Sequence, residues 1–465
     1  MGSFEKIMET GDAMRAEARK LAEIVGVIPP DETEEESQPG TNPPWPIIAE
    51  EAYHGLAGEV VRAIEPHSEA DPVAILTHLL VAFGNAVGAG PFFSVESTRH
   101  NPREFAVLIG DTSKGRKGTA WGYPKRLLSL ADPEWTGSCI KTGLSSGEGL
   151  IFEVRDPIKK QEPIREGTPR RITGYEEVIV DPGVTDKRRL IIEPEFASTL
   201  TVMGREGNIL SAVLRQAWDD GVLSPLTKSN PVTATLAHIS VIGHITKEEL
   251  LRQLSETEKA NGFGNRFLWF LVKRSKCLPE GGSLPETEMI RLRDLLLTAL
   301  ERGKQTGEMK RNREARDLWA AVYPTLSEGR PGLTGSLLAR SEAHVLRLSI
   351  IYALLDGSAL IKRPHLEAGL AVWDYVEASA KQIFGDATGD WLADRILAAL
   401  RDGPMAETDL HNLFGRNVKG NRMQKAISFL SSAGRIKSEK AEIVGRGRPA
   451  TYYSLKSYER NELNE

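Results

Sequence analysis

The chain has two cysteines in 465 residues, Cys139 and Cys277. They are too few for a disulfide framework and show no metal-ligand spacing, which excludes a disulfide-stapled secreted scaffold and a zinc module. A basic surplus is also missing: 59 Lys and Arg against 64 Asp and Glu give a formal net charge of -5. That balance excludes a protein that coats nucleic acid without selectivity, and confines any nucleic-acid contact to local patches. Nor is there a long unbroken apolar run. The best candidate, "AILTHLLVAFGNAVGAGPFF", carries His78 and Asn85 and is broken by Gly84, Gly88, Gly90 and Pro91. It reads as a buried helix and its exit rather than a membrane span. No segment reads as a signal peptide, so the expected location is a bacterial-type cytoplasm, with no membrane partner.

What is present is enough apolar residue, 40%, to build real cores, over a length that suggests about three domains or one large domain with appendages. Residues 1–44 combine a helical pattern with the acidic, proline-rich "PPDETEEESQPGTNPPWP", a linker by composition. Residues 45–91 hold two helical patterns, the second opened by Asp71 as N-cap and Pro72 at the first helical position. From 92 to 285 the pattern changes to short runs such as "FAVLIG", "SCIKTG", "EVIVD", "RLIIE" and "AHISVIGHI", with helical stretches between them. That alternation predicts an α/β core with a largely parallel sheet. Inside it, "VRDPIKKQEPIREGTPRRITGYEE" is polar, basic and rich in breakers, an excursion from the fold. Residues 286–389 read as a helical, lid-like domain. Residues 390–465 follow the order of a winged helix-turn-helix: three short helices, then a hairpin with the basic tip "GRGRP".

One stretch of the core carries chemistry. "GDTSKGRKGTAW", Gly110 to Trp121, follows the strand "FAVLIG" and precedes a helical pattern starting near Thr119. This is the context of a phosphate-binding loop, whose backbone N–H groups surround phosphates ahead of a lysine and a hydroxyl. The spelling departs from GxxxxGK[ST]. Anchored on Gly110, Arg116 takes the lysine position and Lys117 the hydroxyl position. Anchored on Lys117, Asp111 and Arg116 replace both glycines and Gly118 displaces the hydroxyl to Thr119. Taken alone, the stretch fits a basic surface turn as well as a nucleotide loop. The nucleotide reading takes Gly110, Thr112, Ser113, Lys114, Gly115, Arg116, Lys117, Gly118 and Thr119 as binding residues for ATP.

An ATP-splitting site also needs carboxylates at a neighbouring strand end, to hold the Mg²⁺ shell and orient water. Asp181 ends "EEVIVD", but that run leads straight into the next, as one arm of a hairpin would. Glu193 and Glu195, after "RRLII", are preferred, with Glu193 and Thr119 as the expected Mg²⁺ contacts. Glu148 in "GLSSGEGLI" is a further candidate for orienting water; it equally suits a helix N-terminus. His244 ends the strand "AHISVIGH", where a polar side chain can sense the terminal phosphate; a hydrogen-bonded core histidine is the plainer reading. Arg266 in "GFGNRFLWF" suits a finger offered to a phosphate across a subunit interface, or a structural ion pair. Arg340 and Arg347, seven residues apart on one helix face, are candidate second sensors.

In order, "AYHGLAGEVVRAIEPHSEADP", "GDTSKGRKGT", "GLSSGEGLI", "IIEPEFASTL", "LRQAWDDG", "ISVIGHIT", "GFGNRFLWF" and "RLSIIYALLDGS" resemble a family. It is the uncharacterised primase-associated, RecA-like ATPases of prophages, plasmids and integrative elements, similar in their core to hexameric replicative helicases. The resemblance covers roughly residues 45–385. It implies a RecA-like P-loop NTPase core, Lys117 as the phosphate lysine, Thr119 as the Mg²⁺ hydroxyl, ATP and Mg²⁺ as cofactors, and a homo-oligomer, with a hexamer among the arrangements. A primase or another mobile-element replication protein is the partner it implies. Gly118, where many relatives have serine, and Pro124 depart from the family pattern.

At the C-terminal end, Arg422 and Lys425 near the start of "GNRMQKAISFLSSAG", Lys419 just before it, and Arg446 and Arg448 in the wing form the expected DNA contacts. Two functions follow as expectations. One is an ATP-dependent DNA motor, helicase- or loader-like. The other is a DNA-binding initiator or regulator that holds nucleotide without vigorous hydrolysis.

Overall fold

The computed structural model describes residues 45–110, 115–166, 168, 171–225, 232–254, 257–258, 261–329, 332–385, 390–414, 418, 420–432, 434–440 and 451–456. In sequence, a unit of residues 1–45 precedes a larger one of residues 46–465.

It begins with α1 (Gly55–Ile64) and α2 (Pro72–Val87). Asp71 caps α2 by accepting the N–H of Val73 at 3.0 Å, and Pro72 occupies the first turn, where its missing N–H costs nothing. Every residue of α2 from Val73 to Val87 is buried, as an all-round apolar helix requires. Its two polar interruptions are stitches into the core. Asn85 donates to the carbonyls of Arg189 and His238 and accepts from the indole of Trp135, and His78 reaches His244. Helix α2 therefore supplies a layer packed on β3, β7 and β8 of the sheet.

A ribbon of β1 (Phe93–Val95) and β2 (Thr98–His100) leads to β3 (Phe105–Ile109). Then come α3 (Gly122–Ala131), α4 (Pro133–Cys139), β4 (Ile140–Lys141) and α5 (Gly147–Phe152). The polar excursion forms an exposed two-stranded ribbon, β5 (Ile158–Glu166) and β6 (Arg171–Asp181), paired antiparallel. Asp181 thus ends a strand paired with β5 and not with the strand after it, contrary to the hairpin expected from the sequence. Arg155 anchors the ribbon's base through Asp181 at 2.8 and 3.2 Å. The chain continues through β7 (Arg188–Glu193), α6 (Phe196–Met203), α7 (Leu210–Asp219), β8 (His238–Ile245), α8 (Lys247–Gln253) and β9 (Phe267–Leu271).

The central sheet runs β4-β7-β8-β3-β9, and each neighbouring pair is parallel. β3, β8 and β9 are buried at every residue, which is why they read as continuous apolar runs. From β3 the chain crosses β8 and β7 to reach the edge strand β4, whereas from β8 it crosses β3 to reach β9. Connections leaving adjacent strands in opposite directions open a crevice at their carboxyl ends, the usual ligand position in such sheets.

Helices α9 (Glu286–Gln305), α10 (Arg313–Ser327), α11 (Gly332–Leu337), α12 (Ser341–Leu355) and α13 (Arg363–Phe384) follow, with the short strands β10 (Lys310–Arg311) and β11 (Leu360–Ile361) pairing in parallel. α13 lies against β9: the Tyr375 hydroxyl donates to the Leu271 carbonyl at 2.7 Å, and Phe384 meets Trp269 edge to face. The last segment holds α14 (Trp391–Leu400), β12 (Met405–Ala406), α15 (Glu407–Leu413), α16 (Gly420–Ser432), β13 (Ile436–Lys440) and β14 (Thr451–Leu455). Its three strands form an antiparallel sheet, β12-β14-β13, over a core that includes Ile396, Leu410, Met423, Ile427 and Leu430. Among the described residues no helix is long and apolar enough to cross a membrane.

Candidate functional site

Gly110 follows β3 directly, its N–H bonded to the Ile245 carbonyl at 3.3 Å. A side chain there would start 2.7 Å from the carbonyl oxygen of Val272 and 3.3 Å from Nζ of Lys117, so only glycine fits. Lys117 folds back over this point and donates to the Gly110 carbonyl at 3.0 Å. Of the expected nucleotide residues, Thr112, Ser113 and Lys114 lie outside the described residues. Gly115 is buried, and Arg116 adopts φ +53°, a left-handed conformation uncommon outside glycine that marks a tight turn. Its guanidinium pairs with Glu69 at 2.7 Å. Thr119 is exposed and opens a 3₁₀ turn, Thr119–Trp121, so the α-helix begins at Gly122, three residues later than the sequence pattern places it. Pro124 thereby falls in the first turn of α3, where no intrahelical N–H is lost. Gly118 is exposed with nothing within 4 Å of where a Cβ would lie.

Glu193 ends β7 at the same carboxyl edge. Its register partner is Gly243, whose own partner on β3 is Val107, so two strand spacings, about 10 Å, separate Glu193 from β3. Glu193 is buried, and its Oε1 accepts the N–H groups of Gly143 at 2.6 Å and Leu144 at 2.8 Å. Oε2 takes no hydrogen bond among the described residues. Gly143 and Leu144 belong to the loop from β4 to α5, so Glu193 also sets the segment that carries Glu148. Glu148 is exposed in the first turn of α5, behind the N-cap Ser146, whose Oγ accepts the Gly149 N–H at 3.0 Å. Glu195 is exposed at the start of α6 and makes no side-chain cap. The loop glycines, Lys117, Thr119 and all three glutamates thus belong to segments that leave the carboxyl ends of β3, β4 and β7.

His244 lies next along β8, paired in register with Leu108. It is buried, and its Nε2 stands 3.0 Å from Nε2 of His78 on α2. Burial, the neighbouring His78 and the positive charge of Lys117 pull its pKa down to about 2, so it is neutral in any working solution. A sensing role here works through hydrogen bonding, not charge.

Arg266 does not join this group. It precedes β9, whose Phe267 pairs with Phe105, and so sits at the amino edge of the sheet, one five-residue strand or about 16 Å from Gly110. Its buried guanidinium holds Asp219 at 2.6 and 3.2 Å and donates to the Gly262 carbonyl. Arg340 reaches the same Asp219 at 3.2 Å. Arg347 is buried with its N–H groups on the carbonyls of Arg103 and Trp218, its plane 3.7 Å from the Trp218 ring centre; burial draws its pKa down to about 9. These three arginines surround Trp218 and Asp219 as ties at the amino edge of the sheet, away from Gly110–Thr119 of their own chain.

Sequence reasoning missed His78, Trp121 and Glu69. Trp121 stacks on His78 with ring centres 5.6 Å apart, and Glu69 gathers Arg116, Arg274 and the Leu278 N–H. A histidine inside an otherwise apolar helix was the one available signal, because a buried ring nitrogen needs a partner. In the C-terminal module Lys425 is exposed, whereas Arg422 makes a two-pronged pair with Asp390, both distances 2.8 Å. Lys419, Arg446 and Arg448 lie outside the described residues.

His54, Asp356 and His365 converge elsewhere, both histidine Nε2 atoms meeting Asp356 Oδ2 at 2.9 and 3.3 Å. Nδ1 of His365 accepts the Lys362 N–H at 3.0 Å, which places the ring proton on Nε2. A metal ion needs a lone pair there, so this cluster is a hydrogen-bonded clasp joining α1, α12 and α13.

The chain matches no protein-family model, and a comparison with curated proteins gives no match.

Proposed function

We propose that the chain is an ATP-dependent motor or loader acting on DNA as an oligomer, a RecA-like machine of a mobile-element replication system. The observation that carries this reading is Lys117 folded over Gly110 at the carboxyl end of β3, with Glu193 ending β7 at the same edge of the sheet, where connections leave β3 and β8 in opposite directions. Lys117 supplies a positive charge folded over the loop, and the glycine-rich backbone of 115–118 supplies N–H groups. Thr119 and Glu193 are the residues that would hold Mg²⁺: the hydroxyl is exposed, and the carboxylate is buried with one oxygen anchored. ATP with Mg²⁺, held there by these residues, would supply a polarised terminal phosphate. Glu195 or Glu148 would accept the proton of the attacking water, while neutral His244, bonded to His78, would link an occupied loop to α2.

The helix, strand, helix, helix, hairpin order of residues 390–456 supports a winged helix-turn-helix, with the exposed Lys425 as a DNA contact; Lys419, Arg446 and Arg448, the further contacts expected from the sequence, lie outside the described residues. An oligomer supplies Arg266 to a neighbouring site. The test is ATP turnover with and without single- and double-stranded DNA, for the wild type and Lys117→Ala. Turnover unchanged in Lys117→Ala sinks the reading.

A second reading is favoured by the tie between Arg266 and Asp219. If that pair holds in the assembly, nucleotide is a structural ligand of a DNA-binding initiator or regulator. Sequence-specific duplex binding without DNA-stimulated turnover distinguishes it.

A further inference from the structure

We infer that a cavity between α1, α9 and the turn from α12 to α13 binds a small apolar molecule with an anionic head, a carboxylate or a phosphate monoester. It measures about 480 Å³, within the range of small-molecule pockets. None of residues 110–119 lines it, so the inference stands apart from the nucleotide reading. Its floor is apolar: Leu56 of α1, Leu295 and Ala299 of α9, Leu355 at the end of α12 and Pro364 at the start of α13. An apolar occupant gains by leaving water for such a floor.

The polar walls select the sign of the head. Two carboxylates line the cavity, and both are already engaged. Asp356 accepts from His54 at 2.9 Å and His365 at 3.3 Å on Oδ2, and from the Leu56 N–H at 3.3 Å on Oδ1. Glu59 pairs with Arg291 at 2.6 Å. The Thr298 hydroxyl donates to the Asp294 carbonyl at 2.9 Å. The remaining two polar side chains are the cations Arg302 and Lys362, whose heads make no hydrogen bond or ion pair among the described residues. Gly357, at φ +63°, leaves the room for Arg302 at the wall: a Cβ there would lie 3.1 Å from its Nη1 and 3.3 Å from its Cδ. An anion seated on Arg302 and Lys362 gains charge-assisted hydrogen bonds without breaking an existing pair. A cation finds no unengaged carboxylate. The clasp of His54, Asp356 and His365 fixes three of the walls beforehand, which spares a ligand the cost of ordering them.

The test is calorimetric titration of the full chain with octanoate and, separately, with hexyl phosphate. Inorganic phosphate and hexanol report head and tail alone. At least one of the two amphipathic anions is expected to bind about tenfold or more tightly than either part alone, and the tighter one identifies the head. Arg302→Gln and Lys362→Gln, at exposed positions, are each expected to weaken that binding by about tenfold, as for one lost charge-assisted hydrogen bond, with thermal midpoints at the wild-type value. Leu295→Trp, which fills the cavity from an exposed position, is expected to abolish it. Lys117→Ala is expected to leave it unchanged. No binding of either amphipathic anion, or binding indifferent to both charge variants, overturns the assignment. Loss of binding in Lys117→Ala also overturns it, by placing the anion on the loop, and leaves the loop reading in place.

Discussion

His78 and His244 face each other Nε2 to Nε2 at 3.0 Å between α2 and β8. Nδ1 of His78 lies 2.7 Å from the Ala74 carbonyl, which can only accept, so that nitrogen carries the proton and His78 Nε2 holds a lone pair. His244 therefore donates from Nε2. Trp121, at the end of the 3₁₀ turn Thr119–Trp121, stacks on the His78 ring. The loop, the covering helix and the end of β8 share one chain of contacts through two neutral imidazoles.

That neutrality gives a pH prediction. Burial lowers the pKa of His78 to about 4, of His238 to about 3 and of His244 to about 2. Unfolded imidazoles take protons near pH 6.5, so between about 6.5 and 4 the unfolded chain binds more protons than the folded one. Stability is present above that window and falls as pH drops through it, by at most about 1.4 kcal/mol per pH unit for each of the three. Urea midpoints at pH 7.5 and 5.0 measure this. The expected result is a lower midpoint at pH 5.0, with a shallower dependence in the double variant His78→Leu, His244→Leu.

Glu193 separates structure from chemistry. Its Oε1 holds the Gly143 and Leu144 N–H groups. Glu193→Gln keeps an oxygen for both, so the thermal midpoint stays near wild type while ATP turnover falls by orders of magnitude with the lost charge. Glu193→Ala strands both donors and costs about 2 kcal/mol as well, read as a lower denaturant midpoint. Equal turnover in wild type and Glu193→Gln removes Glu193 from the chemistry.

The strands were legible because parallel, doubly covered strands are continuous apolar runs: "FAVLI" and "HISVIGHI" allow little else. The cap of α2 was legible because Asp71 and Pro72 act within one turn. The strand order was not, since nothing local says that the chain leaving β3 passes over two strands to reach Ile140. Arg266 shows the same limit. Its position before an apolar strand was plain, but the edge of the sheet it occupies depends on β9 running parallel to β3. Glu69 and Arg116 are 47 positions apart in sequence and meet only because the segment before α2 packs beside the loop. Gly243 was legible as a strand residue, yet its reason is tertiary: a Cβ there would lie 2.6 Å from the Phe196 ring.

In the C-terminal module, Arg422 and Lys425 are expected to behave differently. Arg422 ties the start of α16 to Asp390, the N-cap of α14, so Arg422→Ala lowers the module's stability, by about 1 kcal/mol or less for a pair this exposed. Lys425 is exposed, and Lys425→Glu leaves stability unchanged while weakening DNA binding and reducing its salt dependence by about one charge. Fluorescence anisotropy across a salt series checks the second outcome. Unchanged affinity takes this helix out of the DNA interface.

Arg266 and Asp219 decide between motor and structural ligand. Within one chain the pair is a tie, with the guanidinium buried and 2.6 Å from Oδ2. Asp219→Ala removes its counter-charge and is expected to cost on the order of 2 kcal/mol, read in denaturant. If Arg266 serves a neighbour's phosphate, the same variant frees it, and turnover per folded chain holds or rises. Arg266→Ala and Lys117→Ala are then each inactive alone, because every site lacks one component. Mixed in equal amounts, they rebuild sites that take Lys117 from one subunit and Arg266 from the next. Random head-to-tail assembly restores about a quarter of the sites. Recovery of activity on mixing, measured as ATP turnover against the unmixed controls, is the expected result. A mixture as inactive as its components, with both variants folded and assembled, leaves Arg266 as an interior ion pair and favours the structural-nucleotide reading.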